Sequence, residues 1–98
     1  MPFGSSITSG FTEQGIAQVA PGTSGVYGIF NKSQCVYVGD GEDVEASLYS
    51  HLRGGSSESY WIRSQNPTYF KLEACEETAR LEREQELIAE LDPVCNRS

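Results

Sequence analysis

Two short strings near the start of the chain each combine a tyrosine with a glycine around one valine. They are residues 25–27 (GVY) and 37–39 (YVG), and their tyrosines, Tyr27 and Tyr37, lie ten positions apart. A phenol can orient a water molecule or move a proton, and a glycine lets a partner approach the backbone closely. If a hairpin joins the two strings, the phenols lie on neighbouring strands and form part of a small polar site.

The last predicted helix carries a glutamate on its apolar side. Leu81, Ile88 and Leu91 are spaced at i, i+7 and i+10 and form one apolar stripe, and Glu84 falls inside this stripe. A carboxylate there is costly unless a cation pairs with it. The spacing leaves two interpretations open, which are a structural salt bridge at the edge of the stripe and a metal ligand.

The only histidine of the chain, His51, also falls on an apolar helical face, together with Val44 and Leu48. A histidine in this setting is either a core side chain with one hydrogen bond or a group that takes part in proton transfer. The spacing alone is compatible with both roles.

The elements that must position these side chains follow from the apolar periodicity and from the Gly, Pro and Asp residues between segments. The sequence predicts strands over 25–30, 35–39 and 68–75 and helices over 44–52 and 77–91. This order indicates an α+β fold, a small antiparallel three-stranded sheet flanked by helices. We expect one domain over residues 1–98.

The remaining segments are expected to play supporting roles. Residues 1–10 are small and polar and are predicted to form a loose N-terminal arm. Asp43 is placed to cap the first long helix, and residues 60–62 (YWI) are expected to pack in a short element. The acids Asp40, Glu42 and Glu45 lack the spacing of a calcium loop and are predicted to be solvated.

Composition indicates a small globular protein of 98 residues with 38% hydrophobic content. There is no apolar run near the length of a membrane span, and residues 1–10 lack the features of a secretory signal, so we expect a cytoplasmic location without membrane contact. The three cysteines, Cys35, Cys75 and Cys95, are far apart in sequence and are predicted to be free thiols.

The formal net charge of −7 disfavours broad binding of DNA, which depends on Lys and Arg side chains that neutralise phosphates. A local basic patch stays compatible with this composition, because Arg53, Arg63 and Lys71 fall in the middle of the chain. The acids crowd its last quarter, and a basic protein is a second class of partner.

Taken together, these positions resemble the GIY-YIG family of metal-dependent nucleases. The two tripeptides correspond to the paired strands that give the family its name. The later positions that fall in the family's register are Val44, Leu48, His51, Glu84, Ile88, Pro93 and Asn96. The resemblance extends over residues 24–96.

The resemblance implies hydrolysis of a DNA phosphodiester with one divalent metal, Mg²⁺ or alternatively Mn²⁺. Glu84 would be the only protein ligand of the metal, which suits a cation that keeps several waters. Tyr27 would act as a general base or orient the attacking water, while Tyr37 and His51 would hold the nucleophile and the phosphate. Asn96 would contact the substrate.

One family position differs in this chain. The family has an arginine immediately before Leu48, and this chain has Ser47. A guanidinium there would bind the phosphate, and losing such a donor typically costs about a hundredfold or more in rate. Ser47 would give the substrate one neutral hydrogen bond, and Arg53 or Arg63 would have to reach in from the loop. Two functions therefore remain, a weakly active nuclease and an inactive relative that serves as an acidic protein-binding or regulatory module.

Overall fold

A four-stranded antiparallel sheet forms the centre of this computed structural model, which describes residues 7–96. Its strands are β1 (Ile7–Gly10), β2 (Gly25–Phe30), β3 (Cys35–Gly41) and β4 (Tyr69–Ala74), in the order β1-β4-β2-β3. The helices are α1 (Glu13–Ile16), α2 (Val44–Arg53), α3 (Ser57–Ser64) and α4 (Glu77–Leu91), followed by a 3₁₀ turn at Val94–Asn96. The α+β class is as predicted.

The predicted three-stranded sheet is wrong by one strand, β1. Ile7–Gly10 was expected to belong to the loose arm, but it pairs antiparallel with β4, with Ile7 opposite Leu72. This strand has one large apolar residue and no buried position, so it lacks the alternation that identifies a strand in sequence. Residues 1–6 of the predicted arm lie outside the described part of the chain.

The central strand β2 is buried on both faces of the sheet. Tyr27 and Ile29 point into a core shared with α1, α2 and α3, whereas Val26 and Phe30 pack with Leu87 of α4. Helices on both sides of the sheet exclude water from the middle of the strand, so that all six of its residues are buried.

Helix α2 begins where the sequence predicted, at Val44, with Asp43 as its N-cap. The Asp43 carboxylate accepts a hydrogen bond from the backbone N–H of Ala46 at 3.3 Å. The helix buries Val44, Leu48 and His51 along one side. His51 thus faces the sheet, as the periodicity indicated.

Helix α4 has the predicted bounds, but its buried face differs from the predicted apolar stripe by a rotation of one residue. Leu81 is 65% exposed, and the buried positions are Arg80 and Leu87. Glu84 still lies on the inward face, half-buried between them. No helix between residues 7 and 96, α4 included, combines the length and the apolar character needed to cross a bilayer.

Helix α3 packs differently from the prediction for residues 60–62. Ile62 is fully buried, but Tyr60 and Trp61 are 66% and 59% exposed. An eight-residue helix on the surface turns only part of its circumference inward, and here Ser59 and Ile62 occupy that part.

The cysteines are free thiols, as predicted. Cys35 is buried, and Cys75 and Cys95 are half-buried. Burial raises the pKa of the Cys35 thiol to about 12, so it stays protonated near neutral pH.

Candidate active site

Three predicted site residues meet on the face of the sheet covered by α2. Tyr27 of β2, Tyr37 of β3 and His51 of α2 form a ring cluster. The ring centroids of Tyr27 and Tyr37 are 6.3 Å apart, and those of Tyr37 and His51 are 5.0 Å apart. The Tyr27 hydroxyl lies 2.9 Å from His51 Nε2 in a buried hydrogen bond.

The glycine of the second tripeptide makes room for both phenols. Gly39 pairs with Tyr27 across β2 and β3. A Cβ atom at position 39 would lie 2.6 Å from the Tyr27 hydroxyl and 2.9 Å from Cε2 of Tyr37. Any larger residue would displace the rings, so the sequence string sets the geometry of the cluster directly.

His51 is 8% exposed, and burial lowers its pKa, so the ring is neutral at pH 7. A neutral imidazole donates through one nitrogen and accepts through the other. When Nδ1 carries the proton, Nε2 accepts the Tyr27 hydroxyl hydrogen. Nδ1 is buried and has no hydrogen-bond partner among residues 7–96.

The Tyr27 phenol is held in its neutral form. Burial is the main cause that raises its pKa, and further contributions come from Tyr37, Glu58, Glu84 and Asp40. The hydroxyl can therefore orient a water or relay a proton to a base, but it is not a ready phenolate at neutral pH.

Tyr37 has a partner that sequence reasoning missed. Its hydroxyl donates a hydrogen bond to Glu58 Oε2 at 3.0 Å. Burial first, and then this bond, raise the pKa of Tyr37. Glu58 lies in the first turn of α3, a helix that the sequence did not predict, so nothing in the pattern pointed to this contact.

Glu84 shares a hydrogen bond with a second carboxyl group, that of Asp40. Burial, followed by this bond and the charge of Asp40, raises the pKa of Glu84 to about 7. The prediction that Asp40 is a solvated loop acid is wrong, because β3 continues to Gly41. The signal lay in the strand alternation, which puts position 40 on the same face as Val38 and hence against α4.

The carboxyl pair and the ring cluster lie at the same edge of the sheet. Strand β3 is the outer strand, with the rings on its α2 side and the Asp40–Glu84 pair on its α4 side. Both acids contribute to the pKa shifts of Tyr27 and Tyr37, so they are within electrostatic range of the phenols. The rings and the carboxyl pair thus lie on opposite faces of the same strand.

The carboxyl pair fits a hard divalent cation better than a softer metal. Among residues 7–96 no group of three or more His, Cys, Asp and Glu side chains is arranged to hold a metal ion. Mg²⁺ is bound through one or two carboxylates and retains several waters. Glu84 and Asp40 are therefore the side chains that would hold it.

A buried arginine accompanies the carboxyl pair. Arg80, one helical turn before Glu84, is 8% exposed, and its Nε lies 3.9 Å from Asp40 Oδ2. Its Nε and Nη1 atoms have no hydrogen-bond partner in the described part of the chain. The guanidinium compensates part of the negative charge at this edge.

Ser47 and Arg53, both predicted to bind substrate, are placed very differently. The Ser47 hydroxyl lies against Gly41, 2.8 Å from the place of a Cβ atom there, and so close to the end of β3. Arg53 is exposed and binds both carboxylate oxygens of Glu13, at 2.8 and 3.1 Å. The structure gives no support to the idea that Arg53 replaces the missing arginine.

Asn96 holds the edge strand. Its side-chain amide accepts a hydrogen bond from Val38 N at 2.8 Å and donates one to Val38 O at 2.9 Å. Each end of the amide makes one hydrogen bond, which leaves one N–H and one lone pair for the predicted substrate contact. Because Val38 lies between Tyr37 and Gly39, Asn96 positions the site indirectly.

Comparison with known proteins gives structural matches only. No protein-family model matches the sequence, and no curated protein does. The GIY-YIG N-terminal endonuclease domain of UvrC from Thermotoga maritima, bound to its catalytic divalent cation, magnesium, has a TM-score of 0.70. It is 24% identical, over 87% of this chain and 98% of that chain. Two variants of that domain, each with a single tyrosine replaced and each bound to the catalytic cation, have TM-scores of 0.71. They are 22% and 23% identical to this chain, and each match covers 89% of this chain and 99% of the variant.

Proposed function

We propose that this chain, which has the fold of the GIY-YIG endonuclease domain, is a metal-dependent nuclease domain that hydrolyses phosphodiester bonds in DNA. The observation that carries the proposal is the contact of Tyr27, Tyr37 and His51 on one face of the sheet, with Glu84 within electrostatic range of both phenols. These are four residues that the resemblance assigned to the reaction. A carboxyl pair in which burial and a neighbouring acid raise one pKa, as here for Glu84, is common at functional sites.

The metal is proposed to be Mg²⁺, with Mn²⁺ as a substitute, held by Glu84 together with Asp40. The UvrC domain with the same fold is bound to a catalytic magnesium ion. A bound divalent cation stabilises negative charge on the leaving oxygen. The carboxyl pair would lose its shared proton on binding, since ligating carboxylates must be ionised.

The ring cluster is proposed to activate the attacking water. Water donates a proton to the Tyr27 oxygen, and the Tyr27 hydroxyl gives its own proton to Nε2 of neutral His51. The 2.9 Å contact between the two residues supports this relay, as does the burial that keeps both side chains uncharged. Tyr37, hydrogen-bonded to Glu58, would help to position the water or the phosphate.

The absence of a guanidinium at position 47 predicts slow turnover. Ser47 offers one neutral hydrogen bond at the place where the family supplies a charge, and such a donor is typically worth about a hundredfold or more in rate. Three arginines have other partners or places: Arg53 is paired with Glu13, Arg80 is buried beside Asp40, and Arg83 is paired with Glu73.

The test is cleavage of plasmid, single-stranded and branched DNA with Mg²⁺ or Mn²⁺, for the native chain and for Glu84→Gln. Glu90→Gln is the matched control, because it removes the same charge from an exposed position of α4. We expect slow, metal-dependent cutting that Glu84→Gln abolishes and Glu90→Gln retains. Equal cutting by Glu84→Gln would show that the activity does not arise at this site.

A second candidate is a non-catalytic module that binds a basic protein. Ser47 favours it, and so do the exposed acids of α4, which are Glu77, Glu82, Glu86 and Glu90. The variant Ser47→Arg separates the two functions, with Ala46→Arg, exposed on the same helix, as control. A nuclease should gain about a hundredfold in rate from Ser47→Arg alone. If neither variant cuts DNA, the second candidate is preferred.

A further inference from the structure

Acidic side chains are missing from two long stretches of this acidic chain. No Asp or Glu occurs between Glu13 and Asp40 or between Glu58 and Glu73, although the chain has 14 acids and a net charge of −7. The first stretch contains the β2–β3 hairpin, and the second contains most of α3 and the start of β4. Their composition differs from that of the rest of the molecule.

The fold brings the two stretches together at the hairpin end of the sheet. Asn31 Nδ2 donates a hydrogen bond to Gln65 O at 2.9 Å, and the backbone N–H of Thr68 donates one to Phe30 O at 2.8 Å. An open hollow between them is lined by Asn31, Lys32, Ser33, Gln65, Asn66 and Thr68. This end of the molecule therefore presents amides, hydroxyls and cations without a carboxylate from either stretch.

The cations without an acidic partner lie in these stretches. Among residues 7–96, the Lys and Arg side chains that form ion pairs are Arg53, Arg80 and Arg83. The described cations that form none are Lys32, Arg63 and Lys71. Lys32 and Arg63 are exposed, and the Lys71 ammonium lies over the Phe30 ring at 5.7 Å. The surface thus has positive charge that no acid of the described chain neutralises.

Two exposed aromatic rings border the same surface. Tyr60 and Trp61 contact each other edge to face, with centroids 5.3 Å apart, and Arg63 follows two positions later. Large aromatic side chains exposed as a pair are uncommon on a monomer surface unless they contact something. Aromatic faces next to unpaired cations are the combination that binds single-stranded nucleic acid, through base stacking and phosphate contacts.

We propose that this hairpin-end surface, made of Lys32, Tyr60, Trp61 and Arg63, binds single-stranded DNA and leads it to the ring cluster. The inference rests on the proposed nuclease function and adds the form of the substrate and its path. Helix α3 connects the two places, because Glu58 at its start bonds Tyr37 and Arg63 lies near its end. At about 1.5 Å per residue the helix spans about 12 Å, which is a path of a few nucleotides.

Trp61 is the only tryptophan, so its fluorescence reports directly on this surface. The experiment titrates the native chain, in EDTA to prevent cutting, with an oligothymidylate of about twelve nucleotides, a length within the usual range for single-strand sites. We expect saturable quenching that weakens as salt is raised. The absence of quenching at low salt, or equal quenching by polyglutamate of similar length, would overturn the proposal.

Variants are compared by the anisotropy of a labelled oligothymidylate. Arg63→Gln should weaken binding and reduce the slope of log affinity against log salt by about 1. Trp61→Leu should weaken it about tenfold through lost stacking. Arg53→Gln is the control, since it removes the same charge from an arginine already paired with Glu13. Equal weakening by Arg53→Gln and Arg63→Gln would show that binding depends only on the net charge of the chain, and would contradict the proposal.

Failure of this inference is distinguishable from failure of the proposed function. If the native chain binds the oligonucleotide in EDTA but never cuts DNA when Mg²⁺ is added, the binding surface stands and the nuclease function is wrong. If the chain cuts DNA and both Arg63→Gln and Trp61→Leu leave the KM for single strands unchanged, the surface is wrong. Tighter binding of duplex than of single strands would also contradict it.

Discussion

The two phenols of the ring cluster differ in what their hydroxyl groups contact. The Tyr27 hydroxyl is buried against His51, whereas the Tyr37 hydroxyl reaches Glu58 at the surface. A hydrogen bond removed inside a protein leaves its partner unsatisfied, while one removed at the surface is replaced by water. The same chemical change at the two positions should therefore have unequal effects on stability.

Tyr27→Phe should lower the free energy of unfolding by about 1 kcal/mol, and Tyr37→Phe by a smaller amount. Denaturant unfolding of the two variants measures the difference directly. Tyr27→Phe should also stop DNA cleavage, because the relay to His51 loses its hydroxyl. A larger loss of stability in Tyr37→Phe would contradict the assignment of the buried bond.

The lowered pKa of His51 predicts that the stability of the fold depends on pH. Burial lowers its folded-state pKa below the ordinary value of 6.5, so the unfolded chain binds the proton more readily. The contribution of His51 is thus complete above about pH 6.5 and is lost as the pH falls toward the lowered value. The difference in unfolding free energy between the native chain and His51→Gln should shrink between pH 7.5 and 5.5. Comparing the two chains cancels the opposite trend expected from Glu84, whose pKa is raised.

At the scale of elements, strand β3 and the 3₁₀ turn determine the position of the site. Asn96 in the turn uses both ends of its amide on the backbone of Val38. These bonds fix an outer strand that has only β2 as a neighbour in the sheet. The tyrosine and glycine on either side of Val38 keep their places for the same reason.

Asn96→Ala should destabilise the fold by about 2 kcal/mol, since it leaves a backbone N–H and a C=O without partners. The amide hydrogen of Val38 should exchange faster with solvent, which hydrogen-exchange measurements resolve at single residues. Asn96→Asp keeps the acceptor and loses the donor, so its effect should be smaller. Unchanged exchange at Val38 in Asn96→Ala would be evidence against the clamp.

Elements with a long periodic pattern were predictable from the sequence, and those fixed by tertiary contacts were not. The bounds of β2 and α4 were predicted correctly, because alternation and a clear stop at Pro93 define them. Strand β1 is too short and too exposed to show a pattern. Leu81 was assigned to the wrong side of α4, because a buried Arg80 takes the place of an apolar residue.

The same division applies to the candidate site. Tyr27, Tyr37, His51 and Glu84 were identifiable through the resemblance to the GIY-YIG family. Helical spacing alone placed His51 and Glu84 on inward faces and left their roles open. Glu58 was missed, because it matters through one partner from a distant segment. Asp40 was missed, because the predicted strand ended at residue 39 and β3 continues to Gly41. The pairing of Arg53 with Glu13 likewise joins residues 40 positions apart, which no local pattern reveals.

At the scale of the whole molecule, metal binding should increase the free energy of unfolding. A ligand that binds only the folded state raises the free energy of unfolding by about 2.7 kcal/mol at a hundred times its Kd. Mg²⁺ should therefore raise the melting temperature of the native chain and of Glu90→Gln, but not that of Glu84→Gln. Differential scanning calorimetry with and without EDTA measures this. A shift of equal size in all three chains would indicate nonspecific screening of surface acids.

The clamp at Val38 has a further effect on how the molecules behave in concentrated solution. Outer strands with free backbone groups are templates on which a second chain can add its own strand and begin aggregation. At one border of this sheet the Asn96 amide already occupies the groups of Val38 that an incoming strand would use. Addition of a further strand at this border, and with it growth into fibrils, is therefore disfavoured.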